Sequence, residues 1–249
     1  VKKINFANLL RNEQTKPRNA LKLKNGPVGP VLYIYDVIDS WYGISAESVA
    51  SLLADLKGEA LTVRFNSPGG DAFEGRAIAS LLKSYEGEVI GIVDSIAASA
   101  ATTILYACDK IQMASGAYLM IHNAWTYAAG DKNDLAETVK LLDRMDNTIA
   151  ADYAAKSGKS IDDVKAWMNA ETWFSAEEAI AAGMADGLTD GDDEESDDDP
   201  DDVQNGFVLD VYNNVPAKLK NKAEDKALGE ATKRHFENSQ RRMKVLGIH

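Results

Sequence analysis

The chain is poor in the residues that most often carry redox and metal chemistry. It has one cysteine, Cys108, in 249 residues, so no intrachain disulfide can form, and a reducing compartment fits. Cys108 closes an Ala-rich stretch and reads as a small buried core residue. Histidines number three, at 122, 235 and 249. Long apolar runs are also missing. The longest run near the centre without a charge or strong turn former, Ile96–Ala107, falls far short of the roughly 20 residues that a membrane span needs. The opening stretch, Val1–Asn12, has no continuous apolar core, so a secretory signal is not expected. A soluble, cytoplasmic protein without a membrane partner is the expectation. Basic charge is scarce too: the formal net charge is −12, which argues against a nucleic-acid partner.

That charge is unevenly placed. Residues 190–202 hold ten acidic side chains and no basic one, whereas residues 203–249 hold nine Lys/Arg against five Asp/Glu. Residues 1–189 are therefore only mildly acidic. With 45% apolar residues the chain can bury a full core. Four regions follow: an N-terminal arm over 1–29, a folded domain over 30–189, an acidic linker over 190–202 that cannot fold alone, and a basic, weakly structured tail over 203–249.

Within the domain, strands and helices alternate. Val31–Tyr35 and Ala60–Phe65 read as strands, Ser45–Leu56 as a helix with an incomplete capping box at Ser45 and Ser48, and 73–84 as a second helix. Lys110–Met113 and Ala117–Ile121 read as further strands. A long helix over 132–157 carries Leu135, Val139, Leu142, Met145, Ile149 and Tyr153 at steps of three or four. At about 1.5 Å per residue it is near 40 Å long, which suggests a partner subunit along it. Ser160–Met168 is a short helix. Residues 171–183 read as a loop and a helix capped by Ser175 and Glu178 and ended by Gly183, and Ala185–Thr189 as a last strand. Phe207–Tyr212 suggests one more short strand. The order implies an α/β fold with a mainly parallel sheet and right-handed crossovers.

The chain is organised around Gly91–Cys108. Glu88–Val93 reads as a buried strand, Asp94–Ala98 as a sharp turn, and the Ala-rich remainder as a helix beginning near Ser99. Ala97, Ala98, Ala100 and Ala101 leave room for another backbone to approach the Ser99 hydroxyl. A helix start there aims unpaired N–H groups at whatever that serine attacks. The more ordinary reading is that Ser99 is only a helix cap.

A serine nucleophile needs a base, a group orienting that base, and oxyanion donors. Two histidines lie beyond the acidic run, which leaves His122, at the end of an apolar strand, where open parallel sheets bind ligands. A lone histidine there also suits a structural hydrogen bond. The Ala100 N–H and the Gly69-Gly70 turn are the candidate donors; an ordinary tight turn is the alternative for the glycines.

Asn66-Ser-Pro-Gly-Gly70, Ala97-Ala-Ser99-Ala-Ala, Met120-Ile-His122-Asn and the stretch Phe174–Asp186 stand in the order and spacing of the ClpP-like serine peptidases. Over about residues 30–190 the chain resembles that family, and most of all its phage and prophage branch of head-maturation proteases. The resemblance implies a right-handed spiral of ββα units related to the crotonases, with a handle over about 123–157 that pairs subunits. It implies Ser99 as nucleophile, His122 as general base, and Gly70 and Ala100 as oxyanion donors. The third triad position holds Glu171 where the housekeeping pattern has Asp; Asp131, Asp134, Asp162 and Asp163 are the alternatives. Gly69, Trp125 and Tyr127 are candidates for lining an extended-peptide groove. No metal and no cofactor are implied. The implied partners are a peptide substrate such as a capsid or scaffold protein, further copies in a heptameric ring or stacked rings, and an ATP-dependent unfoldase. The implied setting is the bacterial host cytoplasm or a phage procapsid, where the tail reaches capsid proteins or is trimmed by the enzyme. A catalytically silent scaffold of the same fold and a crotonase-like acyl-CoA enzyme are the competing readings.

Overall fold

A computed structural model describes residues 21–26, 29–189, 207, 209 and 211–219. The acidic linker and most of the basic tail lie outside these residues. The chain divides into two units, Val1–Asn214 and Val215–His249, and everything described below lies in the first.

Eight strands form one sheet: β1 (Leu21–Gly26), β2 (Gly29–Ile34), β3 (Leu61–Ser67), β4 (Val89–Ala98), β5 (Lys110–Met113), β6 (Tyr118–Ile121), β7 (Thr172–Ser175) and β8 (Gly187–Leu188). Among the described residues six helices accompany them: α1 (Ala46–Leu53), α2 (Ala72–Lys83), α3 (Ala100–Leu105), α4 (Lys132–Ser157), α5 (Ile161–Asn169) and α6 (Ala176–Ala181). The main path runs β1-β2-β3-β4-β5-β8, with β6 pairing β4 and β7. Pairing is parallel except for β1 with β2 and β6 with β7. This is the mainly parallel α/β sheet that the strand–helix alternation implies.

Period-two burial explains the strands. Leu32 and Ile34 of β2 and Leu61, Val63 and Phe65 of β3 are fully buried on one face. They meet Val49 of α1, Ile78 and Leu82 of α2 and Ile104 of α3 in one core. The capping box that looks incomplete in sequence is closed: Ser45 Oγ accepts from the Ser48 N–H, and Ser48 Oγ accepts from the Ser45 N–H at 3.2 Å. A serine hydroxyl reaches back as far as this short turn requires.

Three local expectations are corrected. First, the arm over 1–29 is not irregular throughout, because Leu21–Gly26 pairs antiparallel with β2. Its lysines hide the strand period, since Leu21 and Leu23 rest on the core while Lys22 and Lys24 point away. Second, Thr172–Ser175 is a strand rather than a loop, paired with β6. Third, the strand expected over 207–212 is not formed at its end, where Val211 and Tyr212 lie in a turn and bend.

The 26-residue α4 spans about 39 Å. Its second half packs on the domain through Ala150 and Tyr153, both buried. Asp152 bonds to Arg76 and lies 3.7 Å from Lys83, and Lys156 lies 3.7 Å from Asp186. Its first half projects, leaving Leu135 43% and Val139 57% exposed. Among the described residues no helix is long and apolar enough to cross a membrane.

Candidate active site

The site forms where β4 changes partner. Ile90–Val93 pairs with β5, whereas Ile96–Ala98 pairs with β6. The expected turn at Asp94–Ala98 is therefore absent. The strand continues to Ala98 because a second neighbour takes over its hydrogen bonds. The whole reversal falls on Ser99, at φ 57 and ψ −121. A residue bearing a Cβ adopts such a conformation only where its surroundings impose it, at a cost of order 1–3 kcal/mol.

Those surroundings are visible. The Ser99 N–H donates to Met120 O at 3.1 Å. The buried Thr102 hydroxyl lies 2.9 Å from Ala97 O and 2.8 Å from Met120 O. These bonds lock the Ser99 turn to the end of β6, two residues before His122. The Ser99 side chain makes no cap bond to α3. Its Oγ lies 2.7 Å from His122 Nε2 instead, so the ordinary helix-cap reading does not describe it. A neutral imidazole accepting at Nε2 carries its proton on Nδ1. Burial lowers the His122 pKa to about 4, opposed by the charge of Glu171. The ring is therefore neutral at pH 7 and able to take a proton. Past it, the Ala124 N–H donates to Asp146 of α4 at 2.7 Å, which fixes the chain leaving the histidine.

The glycine turn closes the other side. Gly69, at φ 89, has no room for a side chain: a Cβ would stand 2.4 Å from Ala98 O, 2.8 Å from Ser99 Cβ and 3.0 Å from Ala100 N. Gly70 pairs with Ile38, whose N–H donates to Gly69 O and whose carbonyl accepts from the Asp71 N–H, both at 2.8 Å. The peptide groups flanking Gly70 thus face Ile38, which turns the Gly70 N–H to the opposite side, toward the end of β4. Ala100 opens α3, so its N–H has no intrahelical acceptor. The glycine turn and the start of α3 are thus neighbours, with Gly69 beside Ser99 and Ala100.

Glu171 is buried and sits at φ 49 just past α5, where glycine is the usual occupant. Its charge is felt at His122, yet its hydrogen bonds go elsewhere. The carboxylate accepts from the Asn214 N–H at 2.6 Å, the Asn213 N–H at 3.0 Å, Asn213 Nδ2 at 3.2 Å and Trp173 Nε1 at 3.3 Å. Among the described residues no hydrogen bond joins Glu171 to His122. The alternative carboxylates are engaged or remote in kind. Asp131 and Asp134 form the capping box of α4, Asp163 accepts from the Ser160 hydroxyl at 2.6 Å, and Asp162 is exposed. Trp125 and Tyr127 stack edge to face, with ring centroids 5.5 Å apart, and Tyr127 is 65% exposed.

Sequence reasoning missed Tyr212. This residue is buried, its ring edge to face with His122 at 5.3 Å and against Trp173 at 5.8 Å. Its hydroxyl donates to Pro68 O at 2.6 Å. Burial pushes the phenol pKa up, so it remains a neutral donor. No periodicity marks a lone tyrosine beyond an acidic run, and only the folded contact reveals it. Among the described residues no cluster of three or more His, Cys, Asp or Glu is placed to hold a metal ion.

The chain is similar to known proteins in sequence and in fold. The chain is 29% identical over 131 residues to the ATP-dependent Clp protease proteolytic subunit of Bacteroides fragilis, a match covering 52% of this chain and 63% of that protein. The corresponding protein of Streptococcus gordonii is 32% identical over 125 residues, covering 49% and 64%. Subunit 2 of Tropheryma whipplei is 24% identical over 161 residues, covering 63% and 88%. The chain thus spans just under two thirds of the length of the first two relatives. In structure it is similar to a point mutant of ClpP1 from Listeria monocytogenes, with a TM-score of 0.56, 24% identity, and coverage of 64% of this chain and 90% of that one; that likeness concerns the fold. The Clp protease family model matches residues 27–192, more than half of the sequence and all of the site built from Ser99, His122 and Glu171: the chain belongs to the Clp protease family.

Proposed function

We propose that this protein is a serine endopeptidase that works through an acyl-enzyme. The observation carrying the proposal is the 2.7 Å contact between Ser99 Oγ and His122 Nε2, at a strained turn where the hydroxyl caps nothing. In the first step His122 Nε2 takes the hydroxyl proton as Ser99 Oγ attacks the scissile carbonyl carbon. The oxygen of the tetrahedral intermediate lies between the Gly70 and Ala100 amides. Collapse expels the amine, which receives the proton from His122, and leaves Ser99 as an ester. Water, deprotonated by the same imidazole, then releases the acid and regenerates the serine. Glu171 is the group that orients His122 and stabilises its charged form. Gly69, Trp125 and Tyr127 border the path of an extended peptide.

The substrates proposed are capsid or scaffold proteins, as in the phage and prophage head-maturation branch that the four motifs resemble, and the setting is a bacterial host cytoplasm or a procapsid. Assembly into rings uses the projecting half of α4. Relatives named as ATP-dependent subunits suggest an unfoldase as a further partner. Incubating the purified protein and its Ser99→Ala form with candidate capsid and scaffold proteins tests the proposal. Discrete cleavage by the parent, reduced at least about 1000-fold by the substitution, is expected. Equal cleavage by both forms would refute it. One observation favours a silent scaffold, namely that Glu171 is bonded to residues other than His122. Failure of an assembled ring to react with a fluorophosphonate, in the Tyr212→Ala form as in the parent, would select that reading.

A further inference from the structure

Residues Val211–Asn214 follow the acidic run in sequence, far from any motif of the peptidase domain, yet they end on its reacting groups. Tyr212 covers one face of the site: its ring meets His122 and Trp173, and its hydroxyl donates to Pro68 O. Pro68 precedes the Gly69-Gly70 turn, so this bond ties the phenol to the start of that turn. A scissile carbonyl must enter the same space. Ser99 has one hydroxyl proton, and His122 Nε2 is within its reach at 2.7 Å. Only transfer toward the imidazole activates the serine.

The next two residues act on the third member. The amides of Asn213 and Asn214 donate to both oxygens of the Glu171 carboxylate, at 3.0 and 2.6 Å, and the Asn213 side chain adds a third bond at 3.2 Å. The Asn214 side chain anchors to Ala170 O at 2.6 Å. Asn213 and Asn214 are themselves exposed, so these bonds hold the strap at the rim while Tyr212 points inward. A buried carboxylate satisfied by backbone amides has little left to offer an imidazole N–H.

We propose that Val211–Asn214 is an autoinhibitory strap. Tyr212 fills the position of the reacting carbonyl, the Asn213 and Asn214 amides hold Glu171 away from His122, and lifting the strap switches the site on. This inference rests on the peptidase reading, because a cover over a silent site inhibits nothing. No covalent bond is made or broken in the switch. An arriving substrate or partner need only displace one aromatic ring and the bonds at Glu171.

The test uses the full chain in three forms: parent, Tyr212→Ala, and Asn214→Pro, which removes the donor of the 2.6 Å bond while keeping the tyrosine. Two readouts are followed by peptide mass spectrometry, the rate of His122 carbethoxylation by diethyl pyrocarbonate and the rate of fluorophosphonate addition to Ser99. His235 serves as the internal control for reagent. Circular dichroism confirms that each variant is folded; should one variant fail to fold, the other carries the test. The expected result is that both rates rise about tenfold or more in either folded variant. A His122 rate equal to that of the parent overturns the strap. Faster His122 modification with a fall in Ser99 labelling also overturns it, since Tyr212 would then be a positioning residue of the active form. Faster His122 modification with no Ser99 labelling in any form keeps the cover and removes the peptidase reading instead.

Discussion

At the scale of single residues, the structure spends conformational strain at two positions bearing side chains, Ser99 at φ 57 and Glu171 at φ 49. Both belong to the proposed triad, and neither side chain caps a helix. Outliers of this kind persist where neighbouring bonds over-determine them. The His122 environment sets a pH dependence. Its folded pKa, lowered to about 4, lies below the unfolded value of about 6.5. The neutral ring is thus favoured by folding above pH 6.5, and that stability is lost as pH falls from 6.5 through 4. Urea unfolding across this range should show stability dropping toward acid in the parent, with a smaller drop in His122→Gln. Gly69→Ala has nowhere to place its methyl, 2.4 Å from Ala98 O. It is expected to destabilise the turn by more than about 1 kcal/mol and to suppress Ser99 labelling, both measurable on one sample.

At the scale of elements, the decisive feature is the exchange of partners along β4. Sequence signals made much of this legible. The spacing of apolar runs yields the order of strands and helices, and Ser175 with Glu178 closes the capping box on α6 as read. The long helix begins and ends where its period does, with Asp131 as its cap. What escaped were contacts that need a third element. A run such as Asp94–Ala98 looks like a turn because it joins an apparent strand to an apparent helix, but β6 arrives from 22 residues downstream to keep it extended. Thr172–Ser175 is too short to show a period, and β6 alone makes it a strand. Thr102 joins these pieces through one hydroxyl. Thr102→Val keeps the shape and removes the donor, leaving Ala97 O and Met120 O without it. A loss of about 1–3 kcal/mol in chemical unfolding is expected, together with slower Ser99 labelling. An unchanged midpoint would show that the turn is held by other means.

For the molecule as a whole, the projecting half of α4 leaves apolar side chains uncovered in the first unit. Leu135 and Val139 stand one turn apart, 43% and 57% exposed, on the segment that the family resemblance reads as a handle. Leu135→Glu with Val139→Glu should lower the assembly size seen by light scattering while leaving the thermal midpoint of the domain within a few degrees. An unchanged assembly would remove α4 from the subunit contact. The four motifs were readable because each is local and their order is ordinary chain order. The seat of Tyr212 was not readable, because it depends on where a distant segment returns. Ser99 and His122 remain the pair on which the proposed chemistry turns. The most direct measurement is the site of fluorophosphonate addition, mapped by mass spectrometry in the Tyr212→Ala form with and without His122→Ala. An adduct on Ser99 that disappears when His122 is replaced is the predicted result, and an adduct on Ser99 that forms equally fast without the imidazole would contradict it.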